Sequence, residues 1–186
     1  SPIKLTCLFD DTYKNNYLDF SLNEFFQEIL KTTSNNPKIL LVYFAKEEDR
    51  VLKNYKEDVE QFNENKGNKS LTLELATNGT FIDQILNTDV IYLHGGRTEK
   101  LLNTLKKFPE FIQSIKGKIV AGDSAGANVL SSVFYSTSMG LGEGLGLLPI
   151  KIICHYKGEN KDKFDGIKPE LETVLLPEYK VKIYEV

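Results

Sequence analysis

Ser124 stands between Gly122 and Gly126 in the run Lys118-Ile-Val-Ala-Gly-Asp-Ser-Ala-Gly-Ala-Asn-Val-Leu130, where a β-branched, strand-like stretch gives way to a helix-like one. A Gly-x-Ser-x-Gly motif at such a junction has the layout of a serine nucleophile. The tight turn pushes the side chain out of the backbone, and the small neighbours leave room for a substrate carbonyl. The helix that follows begins with N–H groups that have no intrahelical partner, and its positive dipole end lies where an oxyanion beside Ser124 would form. The same five positions also occur in phosphate-binding turns, and a serine there can serve only close packing of a helix on a strand. A second turn of small residues, Gly95-Gly96, would expose its amides in the same way. The chain has two histidines. His155 follows Ser124 at a workable distance in sequence, whereas His94 precedes the paired glycines with strand-end packing as its ordinary role and a substrate contact as the other.

The elements that must position these residues alternate. Ile3–Phe9, Ile39–Phe44, Leu71–Leu75, Val90–His94, Ile119–Ala121, Ile152–His155 and Val181–Tyr184 read as strands. Between them lie helices: Leu18–Lys31, Glu47–Asn65, Thr80–Leu86, Thr98–Ile115 interrupted at Pro109, Ala125–Val133 and Pro169–Leu175. In Glu47–Asn65 the residues Val51, Tyr55, Val59 and Phe62 share one face and the charges take the other. Runs such as Ile39–Phe44, apolar on both faces, require a sheet covered on two sides. The expected fold is α/β: a doubly wound, mainly parallel sheet with helices on both faces, a three-layer sandwich of the glutamine amidotransferase or flavodoxin kind. In such sheets ligands gather at the carboxyl ends of the strands, where both Gly95-Gly96 and Ser124 fall.

Composition narrows the classes. The 186 residues, 41% of them hydrophobic, suit one domain over 1–186 with a real core. A net charge of −3, with Lys and Glu interspersed, gives no basic footprint for nucleic acid. No stretch approaches a membrane span and no signal segment opens the chain, so a cytoplasmic protein is expected. Cys7 and Cys154 sit in apolar strand-like runs and read as reduced core residues without metal-ligand spacing.

Three blocks, in order, resemble those of the peptidase S51 family, the aspartyl dipeptidases (peptidase E) and cyanophycinases. They are Ile91-Tyr-Leu-His-Gly-Gly-Arg-Thr98 with Leu101-Leu102, Gly122-Asp-Ser-Ala-Gly-Ala-Asn128, and Gly144-Leu-Gly-Leu-Leu-Pro149 followed by His155-Tyr156. The resemblance covers roughly residues 39–186. It implies a serine exopeptidase with Ser124 as nucleophile, His155 as base, the N–H groups of Gly96 and Ala125 as oxyanion donors, and no metal or cofactor. The implied partner is a small peptide, with a second copy of the chain left open as a homodimer. Two alternatives stay open: a catalytically silent S51-like binding protein, and a small-ester or amide hydrolase of the same geometry.

The sequence departs from the family pattern at the site itself. Arg97 replaces an asparagine after the paired glycines, and its fork suits a substrate carboxylate such as an N-terminal aspartate, or else a solvent-facing helix start. Asp123 precedes the nucleophile where the family often has an aromatic or small residue. The family's acid follows a later strand, often in a Pro-Glu-Gly turn, and the family's final strands are not recognised in this chain. Glu185, near its end, is the expected acid, with Glu143, Asp123, Asp165 or a residue beyond the chain as reserves. Glu143 would give the Ser, acid, His order of the α/β-hydrolases.

Overall fold

A computed structural model describes residues 2–7 and 20–186. Residues 8–9 of the expected first strand and 18–19 of the expected first helix lie outside the described residues. In chain order the elements are β1 (Pro2–Thr6), α1 (Phe20–Lys31), β2 (Lys38–Val42), α2 (Glu48–Asn65), β3 (Thr72–Leu75), α3 (Phe81–Leu86), β4 (Val90–Leu93), α4 (Thr98–Leu105), α5 (Phe111–Ser114) and β5 (Ile119–Asp123). They continue with α6 (Ala125–Leu130), β6 (Ser131–Ser136), β7 (Gly140–Glu143), β8 (Leu148–Cys154), a 3-10 turn at Lys161–Phe164, β9 (Glu172–Leu176) and β10 (Lys182–Glu185).

The six-stranded central sheet has the order β10-β1-β5-β4-β2-β3, parallel except for β10, which runs antiparallel to β1. Its four inner strands, β1, β5, β4 and β2, are buried on both faces, as the double-sided apolar runs require, while the edge strands β10 and β3 are half-exposed. Ile39 and Leu41 of β2 face Phe25 and Phe26 of α1 and Phe62 of α2. Leu40 and Val42 face the other way, into a core shared with Phe81 of α3, Leu101 of α4 and Ala127 of α6. On the α1/α2 face the Phe26 and Phe62 rings meet edge to face, 4.9 Å apart. The result is mostly parallel β structure with helices around it, a three-layer α/β sandwich. Among the described residues no helix is long and apolar enough to cross a membrane.

A second sheet, β7-β6-β8-β9, was not foreseen. The helix expected over Ala125–Val133 stops at Leu130, because Ser131 turns its hydroxyl back to the carbonyls of Asn128 (2.8 Å) and Val133 (3.0 Å). Ser131–Ser136 then pairs in parallel with β8. The helix expected over Pro169–Leu175 is instead largely β9, paired in parallel with β8 from Ile150↔Glu172 to Cys154↔Leu176. Pro169 at a would-be first turn misleads there. The Thr173–Leu176 stretch buries Val174 and Leu176, two residues apart, in the core that also holds Phe134 and Ile152, so the two-residue period of a strand prevails. Pairing to β8 also fixes where the chain emerges after Leu176, which matters for the site.

Candidate active site

Four strands deliver the site, each at its carboxyl end. β5 ends at Asp123, and Ser124 follows in a backbone conformation (φ 48°, ψ −101°) that a side-chain-bearing residue rarely adopts. Such strain costs on the order of 1–3 kcal/mol and persists only where the surroundings hold it. The holding bonds run from Ser124 N–H to the Thr6 carbonyl and from Asn128 N–H to the Ser124 carbonyl, both 2.9 Å. The glycines on either side are sterically required. A Cβ on Gly126 would lie 2.2 Å from the Leu93 oxygen, and one on Gly122 would lie 2.7 Å from the Gly126 carbonyl carbon. This is the sharp strand-to-helix turn expected of a nucleophile elbow.

His155, expected inside a strand, is the first residue past β8, with φ 55°. That conformation brings its Nε2 to 2.9 Å from Ser124 Oγ. The neighbouring Cys154 thiol lies against the Ser124 carbonyl at 3.6 Å, fixing the end of β8 on the elbow. Cys154 is therefore a half-buried residue of the cavity wall, while Cys7 lies in the core with its thiol pushed well up, chiefly by burial. Neither forms a disulfide.

Glu185, expected as the acid, stands away from the elbow. Glu185 pairs with Pro2 at the far end of β1, whereas the elbow is reached at Thr6, which pairs with Asp123. Four residues of strand at about 3.3 Å each put it roughly 13 Å from the site's end of the sheet. The carboxylate facing His155 is Glu178, whose Oε1 lies 3.7 Å from His155 Nδ1 and 3.9 Å from Lys157 Nζ. Its place follows from strand register: Cys154 and Leu176 are paired, so the residues just beyond them, His155 and Pro177-Glu178, emerge side by side. The 3.7 Å separation is an ion-pair distance, longer than a hydrogen bond.

Glu143 is exposed and paired with Lys168 at 3.4 Å, Asp165 is exposed beyond the 3-10 turn, and Asp123 is buried on the α1/α2 face of the sheet. The signal missed in the sequence was the Pro177-Glu178 dipeptide, hidden because the strand before it was read as a helix.

A cavity of about 400 Å³ opens over these groups, walled by Gly96, Ser124, Tyr135, His155, Lys157 and Glu178 among others. Gly96 has φ 148°, and a Cβ there would strike the Ala45 carbonyl at 2.5 Å, so only glycine carries the chain past the cavity floor. Gly95 sits one residue behind it, against Asp123, and Ala125 is the buried first residue of α6.

Arg97, expected as a carboxylate clamp, is not among the cavity's residues. Its side chain is 68% exposed and pairs with Glu47 at 3.4 Å. Lys100 joins from 3.3 Å, and Lys100 first, then Arg97, hold the Glu47 carboxyl below its usual range. Exposed helix-start geometry wins over ligand contact at this position. His94 is not among the cavity's residues either: it is buried, with Nδ1 2.8 Å from Asp58 Oδ2. Among the described residues no group of three or more His, Cys, Asp or Glu is placed to hold a metal.

The sequence model of peptidase family S51 matches residues 12–175. No curated protein matches the chain. Among solved structures, a peptidase from an acI-B1 Actinobacterium is similar with a TM-score of 0.68 at 19% identity, over 100% of this chain and 83% of the other. A putative peptidase E protein from Listeria monocytogenes EGD-e is similar with a TM-score of 0.65 at 19% identity, over 100% of this chain and 98% of the other. At that identity the two structures speak for the shared fold.

Proposed function

The chain belongs to peptidase family S51, and on that premise we propose that it is a serine exopeptidase that hydrolyses small peptides, N-terminal aspartyl dipeptides among them, through an acyl-enzyme on Ser124. The observation that carries this reading is the 2.9 Å contact between Ser124 Oγ and His155 Nε2 at the floor of the cavity. His155 takes the hydroxyl proton as Ser124 attacks the carbonyl, then returns it to the departing amine. Water deacylates the serine by the same route in reverse. Glu178, beside Nδ1, holds the imidazole tautomer and stabilises the imidazolium that forms. The N–H groups of Gly96 and Ala125 receive the oxyanion. With Arg97 turned outward, the positive charge that a substrate carboxylate meets on the cavity wall belongs to Lys157.

Hydrolysis of a panel of Asp-Xaa and other dipeptides, with Ser124→Ala purified identically, tests the reading. Turnover in the parent should fall by at least about 10³-fold in the variant, and preference within the panel names the substrate side chain. Peptides left intact by a folded parent protein would overturn it and leave an S51-like binding scaffold. Esters cut by Ser124 while peptides are spared would leave the small-ester hydrolase.

A further inference from the structure

We propose that Thr6 is a positioning residue for Glu178: its main chain holds the Ser124 elbow while its side chain holds the turn that carries the acid, so one residue of β1 sets the spacing between nucleophile and carboxylate. The proposal rests on the serine-hydrolase reading and deepens it. Among the described residues β1 lends nothing to the cavity wall, yet the elbow and the acid's turn are both fastened to its end.

Glu178 lies where the chain crosses from one sheet to the other. β9 of the second sheet ends at Leu176 and β10 of the central sheet begins at Lys182, which leaves residues 177–181 as the crossing. On the second-sheet side the Tyr156 N–H donates to the Leu176 carbonyl at 3.0 Å, tying the start of the crossing to the residue after His155. On the central-sheet side the Tyr179 N–H donates to the Cys7 carbonyl at 3.0 Å, and the Thr6 hydroxyl donates to the Lys180 carbonyl at 2.9 Å. The Thr6 carbonyl in turn accepts the Ser124 N–H at 2.9 Å. Two hydrogen bonds through a single residue thus join the elbow to the acid's turn.

The turn needs such a hold. Glu178 Oε1 is buried, accepts no hydrogen bond and stands 3.7 Å from His155 Nδ1, so the backbone that carries it governs that separation. The next residue, Tyr179, has φ 62°, a conformation that a side-chain-bearing residue keeps only where its surroundings fix it. Its ring packs against the α1/α2 core, as does Val181. Apolar packing is non-directional and leaves the turn free to slide, whereas hydrogen bonds to the end of β1 fix its place. Thr6 is fully buried, so its hydroxyl has to be paired inside the protein, and the Lys180 carbonyl supplies the partner. A valine of the same shape would keep the packing and the main-chain bond to Ser124 and delete only the bond to Lys180.

Kinetics on dipeptides separate this from a merely structural role. Thr6→Val should lower kcat about tenfold or more with KM changed less than about twofold, because a displacement of about 1 Å at the acid suffices for a loss of that order. Thr6→Ser, which keeps the hydroxyl, should return kcat to within about threefold of the parent. In a Glu178→Gln background Thr6→Val should cost less than about twofold more, since its effect runs through a carboxylate already gone. Unchanged kcat in Thr6→Val, no rescue in Thr6→Ser, or an equal loss in both backgrounds overturns the proposal. Crystal structures of the parent and of Thr6→Val give a readout independent of turnover: the Glu178–His155 separation should lengthen by about 1 Å or more in the variant, and an unchanged separation overturns the proposal. Should the parent cut no peptide, or Glu178→Gln keep parental kcat, the peptidase or triad reading falls while that separation still decides the Thr6 link; should Thr6→Val not fold, Thr6→Ala in the same backgrounds decides it.

Discussion

Glu178 and Glu185 are both glutamates near the end of the chain, and only their strands separate them. Glu178 follows β9, which runs parallel to the strand carrying His155; Glu185 ends β10, which runs antiparallel to β1 and so arrives at the opposite edge. Glu178→Gln should lower kcat on the dipeptide substrate by about 10²–10⁴-fold, in the range set by removing the charge of a triad carboxylate. Glu185→Gln should leave steady-state kinetics near those of the parent. Equal effects, or a larger one at Glu185, would remove Glu178 from the role assigned to it. The same residue-scale logic explains Arg97: a guanidinium 68% exposed and already paired with Glu47 is spent on the surface.

At the scale of elements, the elbow depends on α6 pressing backbone to backbone against the ends of β4 and β5. Gly126→Ala would drive a methyl to 2.2 Å from the Leu93 oxygen, an atom of a central strand that cannot swing aside. Overpacking of this kind costs about 1–3 kcal/mol, read as a lower urea midpoint, and peptide turnover should fall with it because Ser124 shifts too. A variant of parental stability would show that the sheet yields more than its double-sided burial implies. The second sheet acts as a carrier. Its parallel pair β8 and β9 sets His155 and Glu178 at one edge, and Tyr184 of β10 donates to Glu172 of β9 at 3.0 Å, bracing the two sheets. Burial and that hydrogen bond push the Tyr184 phenol well up, so it remains a neutral donor over the working range of the protein.

For the whole molecule, the buried pair of His94 and Asp58 makes stability depend on pH. His94 is raised in the folded state above its unfolded value of about 6.5, so its contribution is fully present below that pH and is lost as pH rises through the folded value. The urea midpoint should therefore decline through that window on the alkaline side of about pH 6.5, and Asp58→Asn should flatten the decline while lowering the midpoint at acid pH. A midpoint independent of pH between 6 and 9 would show that His94 is neutral in the native protein. The sign is opposite to that expected of the paired carboxylates, whose contributions fade toward acid pH.

Much of this was written in the chain. The alternation of β-branched runs and amphipathic helices is a local property, and with double-sided apolar strands such as Ile39–Val42 it dictates a covered, parallel sheet. Gly122, Ser124 and Gly126 announce their turn because a close backbone approach admits no other residue types. Asp58 was unreadable: it lies on a helix whose charges were expected in solvent, and only the arrival of Tyr43 and His94 from other strands makes its burial tolerable. Glu178 was unreadable for a similar reason. Which of several carboxylates meets His155 depends on the direction and register of β9 against β8, a pairing between segments about 20 residues apart that no local pattern encodes. Residue types and spacing determined the fold class and the turn that carries Ser124; the partners of each histidine were decided by strand register and by burial, which exist only once the chain has folded.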